Sequence, residues 1–229
     1  SPEKTWVNVH NPALYLATVF KEILEKKGTT VQGCARVIDE TDSFNSDLEK
    51  MTETISPMKQ TILVMNKNSQ NFYAEQILKT LGLQIKGRGS SNAGIEVLHA
   101  FMRKLGFSPD EYQIEDGSGL SKGNKLSPRI ITTLLTHMNG HPYRDVLYDS
   151  LPVSGIDGGL RHRMISSRYK NKIHAKTGYI AKTSALSGYI DTLNGDTLAF
   201  SILMNNFKDL GVIRKIQDNI CQILVDCYN

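Results

Sequence analysis

The chain has 229 residues, 40% hydrophobic and 22% charged, an ordinary globular composition that suffices for one large domain or two small ones. Its 27 basic and 23 acidic residues leave a net charge of +4, too mild to argue for a nucleic-acid partner. No apolar run reaches the roughly 20 residues of a transmembrane segment. Cys34, Cys221 and Cys227 have no zinc or CxxC spacing.

Asn11 before Pro12 has the form of an N-cap and first helical position. Leu16, Val19, Phe20, Ile23 and Leu24 then make an apolar stripe that Lys26-Lys27-Gly28 closes. Residues 29–38 are rich in β-branched side chains and are expected to form a strand; the polar residues 41–54 are expected to form a loop. A helix is expected over 58–65. Another is expected over 71–81, with Ala74, Ile77, Leu78 and Leu81 on one face and Gly82 as its C′ residue. The pattern repeats over 92–105 through Ile95, Leu98, Met102 and Leu105, stopped by Gly106. Ser127-Pro128 opens a further helix that Gly140 ends.

After Pro152 the pattern changes. Residues 172–177, 184–190 and 197–204 read as strands, the last two joined by the hairpin signal Asn194-Gly195-Asp196. Residues 210–228 read as an amphipathic helix through Ile213, Ile216, Ile220 and Leu224. Cys221 and Cys227, nearly on opposite faces of it, are expected to be core thiols. The order predicts a mainly helical region over 11–150, then a sheet region with a closing helix over 151–229, an α/β layered arrangement.

Two triplets carry chemistry. Lys176-Thr177-Gly178 falls on a predicted strand and Ser69-Gln70-Asn71 at the start of a helix. In active-site serine acyl transferases a KTG strand and an SxN turn combine with an SxxK helix. A strand edge can pair main chain to main chain with an extended ligand, and a glycine beside the lysine lets that ligand approach closely. The lysine ammonium attracts a carboxylate, to which the threonine hydroxyl can also donate. The serine hydroxyl can relay a proton and the asparagine amide can hold a carbonyl. Either triplet alone is weak, because both arise by chance in chains of this size.

The surrounding blocks are more specific. They are 65–82 (MNKNSQNFYAEQILKTLG), 116–121 (DGSGLS) with 125–128 (KLSP), 155–161 (GIDGGLR), 174–178 (HAKTG), 184–189 (SALSGY) and 198–205 (LAFSILMN). In this order they resemble the class C low-molecular-mass penicillin-binding proteins, the serine D-alanyl-D-alanine carboxypeptidases and endopeptidases, from about Asn11 to the C-terminus. The resemblance implies a β-lactamase/transpeptidase-like α/β fold: an antiparallel sheet packed by helices, with an adjoining helical region. Residues 1–229 would be the C-terminal part of the penicillin-binding domain, with SxN in 11–150 and KTG in 151–229. It implies catalytic roles for Ser69, Asn71 and Lys176, and substrate binding by Lys176, Thr177 and Gly178. It also implies an oxyanion hole using a backbone N–H just after KTG, no metal or organic cofactor, and a periplasmic or cell-surface location. The implied partners are peptidoglycan stem peptides, β-lactams and an N-terminal segment bearing SxxK. Asp116 and Ser118 are expected only to build a turn. One departure is Gly159, where the family usually carries threonine; it is expected to loosen that loop without touching the two core motifs.

The nucleophile is the open question. SxxK occurs at Ser1–Lys4, Ser56–Lys59 and Ser167–Lys170, against about one match expected by chance. Ser56 is the most tempting, since it could cap a helix beginning at Pro57. The preferred expectation places the nucleophile on a segment not included here, a chain that opens Ser1-Pro2-Glu3 having the start of an excised piece, and gives the isolated chain little or no activity. Two rivals share these motifs: a non-catalytic cell-wall peptide-binding homologue and a β-lactamase-like hydrolase. His137 and His141 have a metal-compatible spacing but no third ligand, and His174, beside KTG, is expected at the surface.

Overall fold

The computed structural model describes residues 8–37, 52–180 and 182–227. The chain divides into two compact units, Ser1–Thr54 and Ile55–Asn229. The described part of the first holds α1 (Pro12–Lys26), whose N-cap Asn11 accepts a hydrogen bond from the Leu14 N–H. Residues 29–37 form no strand. Their β-branched side chains favour extended backbone, but among the described residues no partner strand pairs with them. Residues 41–51 lie outside the described residues, and 52–54 are irregular, as expected of a loop.

The second unit contains α2 (Met58–Asn68), α3 (Asn71–Lys86), α4 (Ser91–Lys104), α5 (Pro128–Asn139), α6 (Arg144–Ser150) and α7 (Leu210–Val225). Its sheet is β1 (Ile173–Ile180), β2 (Thr183–Asp191) and β3 (Thr197–Asn205), antiparallel in the order β1-β2-β3. The register pairs Lys176 with Ser187 and Gly188 with Phe200.

Gly82 does not end its helix. α3 continues to Lys86, capped by Gly87 at φ +71°. A Cβ on Gly82 would lie 2.8 Å from the Gly94 nitrogen and 3.0 Å from the Ala93 Cβ; the glycine serves the close crossing of α3 and α4. α2 likewise runs three residues beyond expectation, so SxN spans the corner between two helices. α6 had no counterpart in the sequence reading. The closing helix stops at Val225; Cys221 is buried, whereas Cys227 is exposed, against the expectation of a core thiol.

Alternation along β2 sends its side chains to two helical layers. Leu186 and Ile190 pack on one face with Cys221 and Val225 of α7, together with Ile173, Ala175 and Leu160. On the other face Tyr189 joins Leu135 of α5, and its hydroxyl donates to the Leu135 carbonyl at 2.7 Å. The sheet is thus an internal layer between α7 and α5. The same alternation on β1 puts His174 and Lys176 on one face and Ala175 and Thr177 on the other.

Candidate active site

Ser69 terminates α2 in a left-handed conformation, φ 53° and ψ 50°. A serine there costs of order 1 kcal/mol and turns the chain sharply into α3. From this corner Ser69 faces β1, at the edge of the sheet, and the Lys176 Nζ donates to its Oγ at 2.5 Å. Lys176 also donates to the Thr177 carbonyl at 2.7 Å, leaving one ammonium proton for a ligand. Burial pulls the Lys176 pKa below its ordinary value.

The two meet in a cavity of about 500 Å³ lined also by Asn66, Lys67, Gly158, Gly159, Arg161, His162 and Thr177. A second cavity of about 180 Å³ shares Ser69, Gly159 and Thr177 and continues past Gly178 and Tyr179 to Arg163 and Arg214. Ser69, Lys176, Thr177 and Gly178 are therefore brought together. Asn71 is not: it heads α3 two residues on, exposed, and lines neither cavity.

Gly159 is closer to the motifs than expected. A Cβ there would lie 2.4 Å from the Thr177 Oγ1 and 3.2 Å from its Cγ2. The bare backbone is what leaves the KTG threonine its place between the cavities, so the departure does touch a core motif. His174 is only partly exposed. Its ring stacks on Tyr148 at 4.1 Å, its Nδ1 is buried without a hydrogen-bond partner, and burial pushes its pKa down. Asp116 and Ser118 do build a turn. The Asp116 carboxylate accepts from the Gly119 and Ser121 N–H groups at 2.8 Å each, and the Gly117 and Ser118 N–H groups donate to Glu75 of α3.

Residues the sequence reading passed over hold the corner in place. The Lys67 Nζ pairs with the Asp157 Oδ2 at 2.8 Å and donates to the Leu151 carbonyl, while the Asn66 Nδ2 donates to the Ser150 Oγ at 2.7 Å. Lys67 lies in the MNKNSQN block and Asp157 in GIDGGLR, but 90 positions apart they leave no local pattern.

Neither described SxxK serine is in this site. Ser56 precedes Pro57, which is itself the helix N-cap without a side-chain cap bond, and the length of α2, about 16 Å, separates it from Ser69. Ser167 is exposed, and neither serine lines either of these two cavities. Ser1 lies outside the described residues. His137 and His141 rings lie 5.9 Å apart, and no metal-holding group of three or more His, Cys, Asp or Glu occurs among the described residues. No helix among the described residues is long and apolar enough to cross a membrane.

An antiparallel three-stranded sheet packed by helices places the chain in the β-lactamase-like class of α/β folds. The chain belongs to the D-Ala-D-Ala carboxypeptidase 3 (S13) family, whose model matches residues 1–226. It is 31% identical over 202 residues to the D-alanyl-D-alanine carboxypeptidase of Actinomadura sp. strain R39, covering 86% of this chain and 37% of that protein. It is 30% identical over 213 residues to the penicillin-sensitive carboxypeptidase A of Dictyostelium discoideum, covering 87% and 40%. Its fold matches that of penicillin binding protein 4 from Haemophilus influenzae, solved with a β-lactam. The TM-score is 0.83 at 22% identity, over 96% of this chain and 53% of that one. The chain thus spans about 40% of the length of these curated relatives.

Proposed function

We propose that this chain carries the substrate-binding and proton-relay half of a serine D-alanyl-D-alanine carboxypeptidase acting on peptidoglycan stem peptides, and that it is the C-terminal part of a penicillin-binding domain. The observation that carries the reading is the 2.5 Å contact between the Lys176 Nζ and the Ser69 Oγ in the larger cavity. An ammonium on the serine hydroxyl is the arrangement a proton relay needs. Family membership and two carboxypeptidase relatives support the substrate class.

In the proposed reaction an SxxK serine from a segment outside this chain attacks the D-Ala-D-Ala amide carbonyl. Ser69 passes a proton to the departing D-alanine nitrogen, and water then hydrolyses the acyl-enzyme. Lys176, Thr177 and Gly178 bind the peptide along the edge of β1. A backbone N–H beyond Gly178 completes the oxyanion hole; Asn71, which lines neither cavity, takes no part in the proposed step. β-Lactams would acylate the same serine, and the protein would work in the periplasm or at the cell surface. The chemistry requires no metal or organic cofactor.

The test is D-alanine release from a D-Ala-D-Ala peptide by the full-length protein that contains this chain. Ser69→Ala and Lys176→Ala should each lower kcat/KM by about 100-fold or more, the scale of a lost general acid or anion-binding cation. Full turnover by both variants would refute the assignment.

A further inference from the structure

We infer that Arg214 makes the smaller cavity a subsite for a free carboxylate, and so sets a preference for trimming a peptide's end over cutting within it. The inference rests on the function proposed above and goes beyond it, to which end of the peptide is chosen.

Three observations carry it. Thr177 points to the α7 side of the sheet, so a ligand held at Ser69 and Thr177 can continue into the smaller cavity toward Arg214, near the start of α7. That cavity, about 180 Å³, has room for roughly six waters. One alanine fits within that space. The third observation is charge. Among the described residues no carboxylate lines either cavity, and two guanidiniums line this one.

The two arginines are not equivalent. The Arg163 Nη2 lies 2.7 Å from the Asp218 Oδ1 and its Nε donates to the same oxygen at 2.9 Å; the Nη2 also donates to the Gln217 Oε1 and the Arg214 carbonyl. Its charge is offset and its Nε and Nη2 are held, so it forms a fixed wall. Arg214 is exposed and makes no ion pair with a described residue. It therefore supplies the net positive charge of the subsite, on a fork whose geometry matches a carboxylate. A C-terminal carboxylate would gain that contact; an amide linkage continuing the chain would not.

The experiment compares the full-length protein with its Arg214→Gln and Arg214→Lys variants. Substrates are one peptide ending in D-Ala-D-Ala with a free carboxylate and the same peptide ending in a carboxamide, and release of the last residue is followed. The wild type should prefer the acid. Arg214→Gln should lose about 10- to 100-fold in kcat/KM on the acid, largely through KM, the range for one charged hydrogen bond. Its rate on the amide should stay within about twofold, with Arg214→Lys intermediate. A wild-type preference retained in Arg214→Gln would overturn the inference and leave the functional reading standing. Equal losses on both substrates would mean a structural role and would also overturn it. A wild type that releases nothing from either peptide would overturn the functional reading, and this inference with it.

Discussion

Lys176 and Ser69 meet across one cavity, yet the backbones that present them are held in unlike ways. β1 rests on a closed apolar layer in which Leu160, Ile173, Ala175, Leu186, Ile190, Cys221 and Val225 are all fully buried. α2, which delivers Ser69, buries none of its residues completely. Polar tethers hold it instead: Lys67 to Asp157 and Leu151, and Asn66 to Ser150. Close packing resists any change of volume, whereas a few charged contacts fix position at modest energy. Damage to the sheet wall should therefore unfold the protein, and damage to the helix corner should disarm it while it stays folded.

The strongest way to break that contrast is Gly188→Ala. A Cβ there would stand 2.1 Å from the His174 carbonyl oxygen and 2.7 Å from the Ala175 Cα, backbone atoms of the paired strand that cannot yield. The expected cost is about 3 kcal/mol or more, read from the denaturant midpoint. An unchanged midpoint would mean that β1 is not locked as described.

Lys67→Met should behave differently. The pair it breaks is partly exposed, 18% for Lys67 and 31% for Asp157, and Asp157 keeps the Val153 N–H at 2.9 Å. About 1–2 kcal/mol of stability should go, between the values for exposed and buried pairs. D-Alanine release by the full-length protein should fall further than stability does, because the Ser69 corner loses its anchor. Loss of stability with turnover intact would contradict the role assigned to the tether.

The smallest effect concerns His174. Burial holds its pKa below the ordinary 6.5 and Lys67 pushes the same way, while Asp191, Asp149 and Asp157 pull it up. Tyr148 covers the ring and Tyr189 is its cross-strand neighbour. The native state disfavours the proton relative to the unfolded chain. Its contribution to stability is therefore complete above pH 6.5 and declines as pH falls below 6.5 toward the depressed native pKa. Melting temperatures between about pH 5 and pH 8 should slope accordingly, and His174→Gln should flatten that slope.

Much of this architecture is legible in local sequence because local chemistry decides it. Asn11 and Ser127 cap helices that open with proline, and the Asn194-Gly195-Asp196 turn joins β2 to β3. What could not be read depends on distant neighbours. Gly82 resembles a helix stop until α4 is packed against it, and residues 29–37 resemble a strand with nothing to pair. Ser69, Lys176, Thr177 and Gly178 are singled out by their triplets together with the blocks around them, and the fold sets them side by side. The contact of Gly159 with Thr177, the burial of His174 and the Lys67–Asp157 tether belong to the folded site and have no sequence signature.

The central claim is that these residues form half of a site whose nucleophile lies on another segment. Intact mass after incubation with benzylpenicillin tests it most directly, on the chain alone and on the full-length protein. The account predicts no adduct on the chain and a single stable covalent adduct on the full-length protein. An adduct on the isolated chain, or none on the full-length protein, would contradict it.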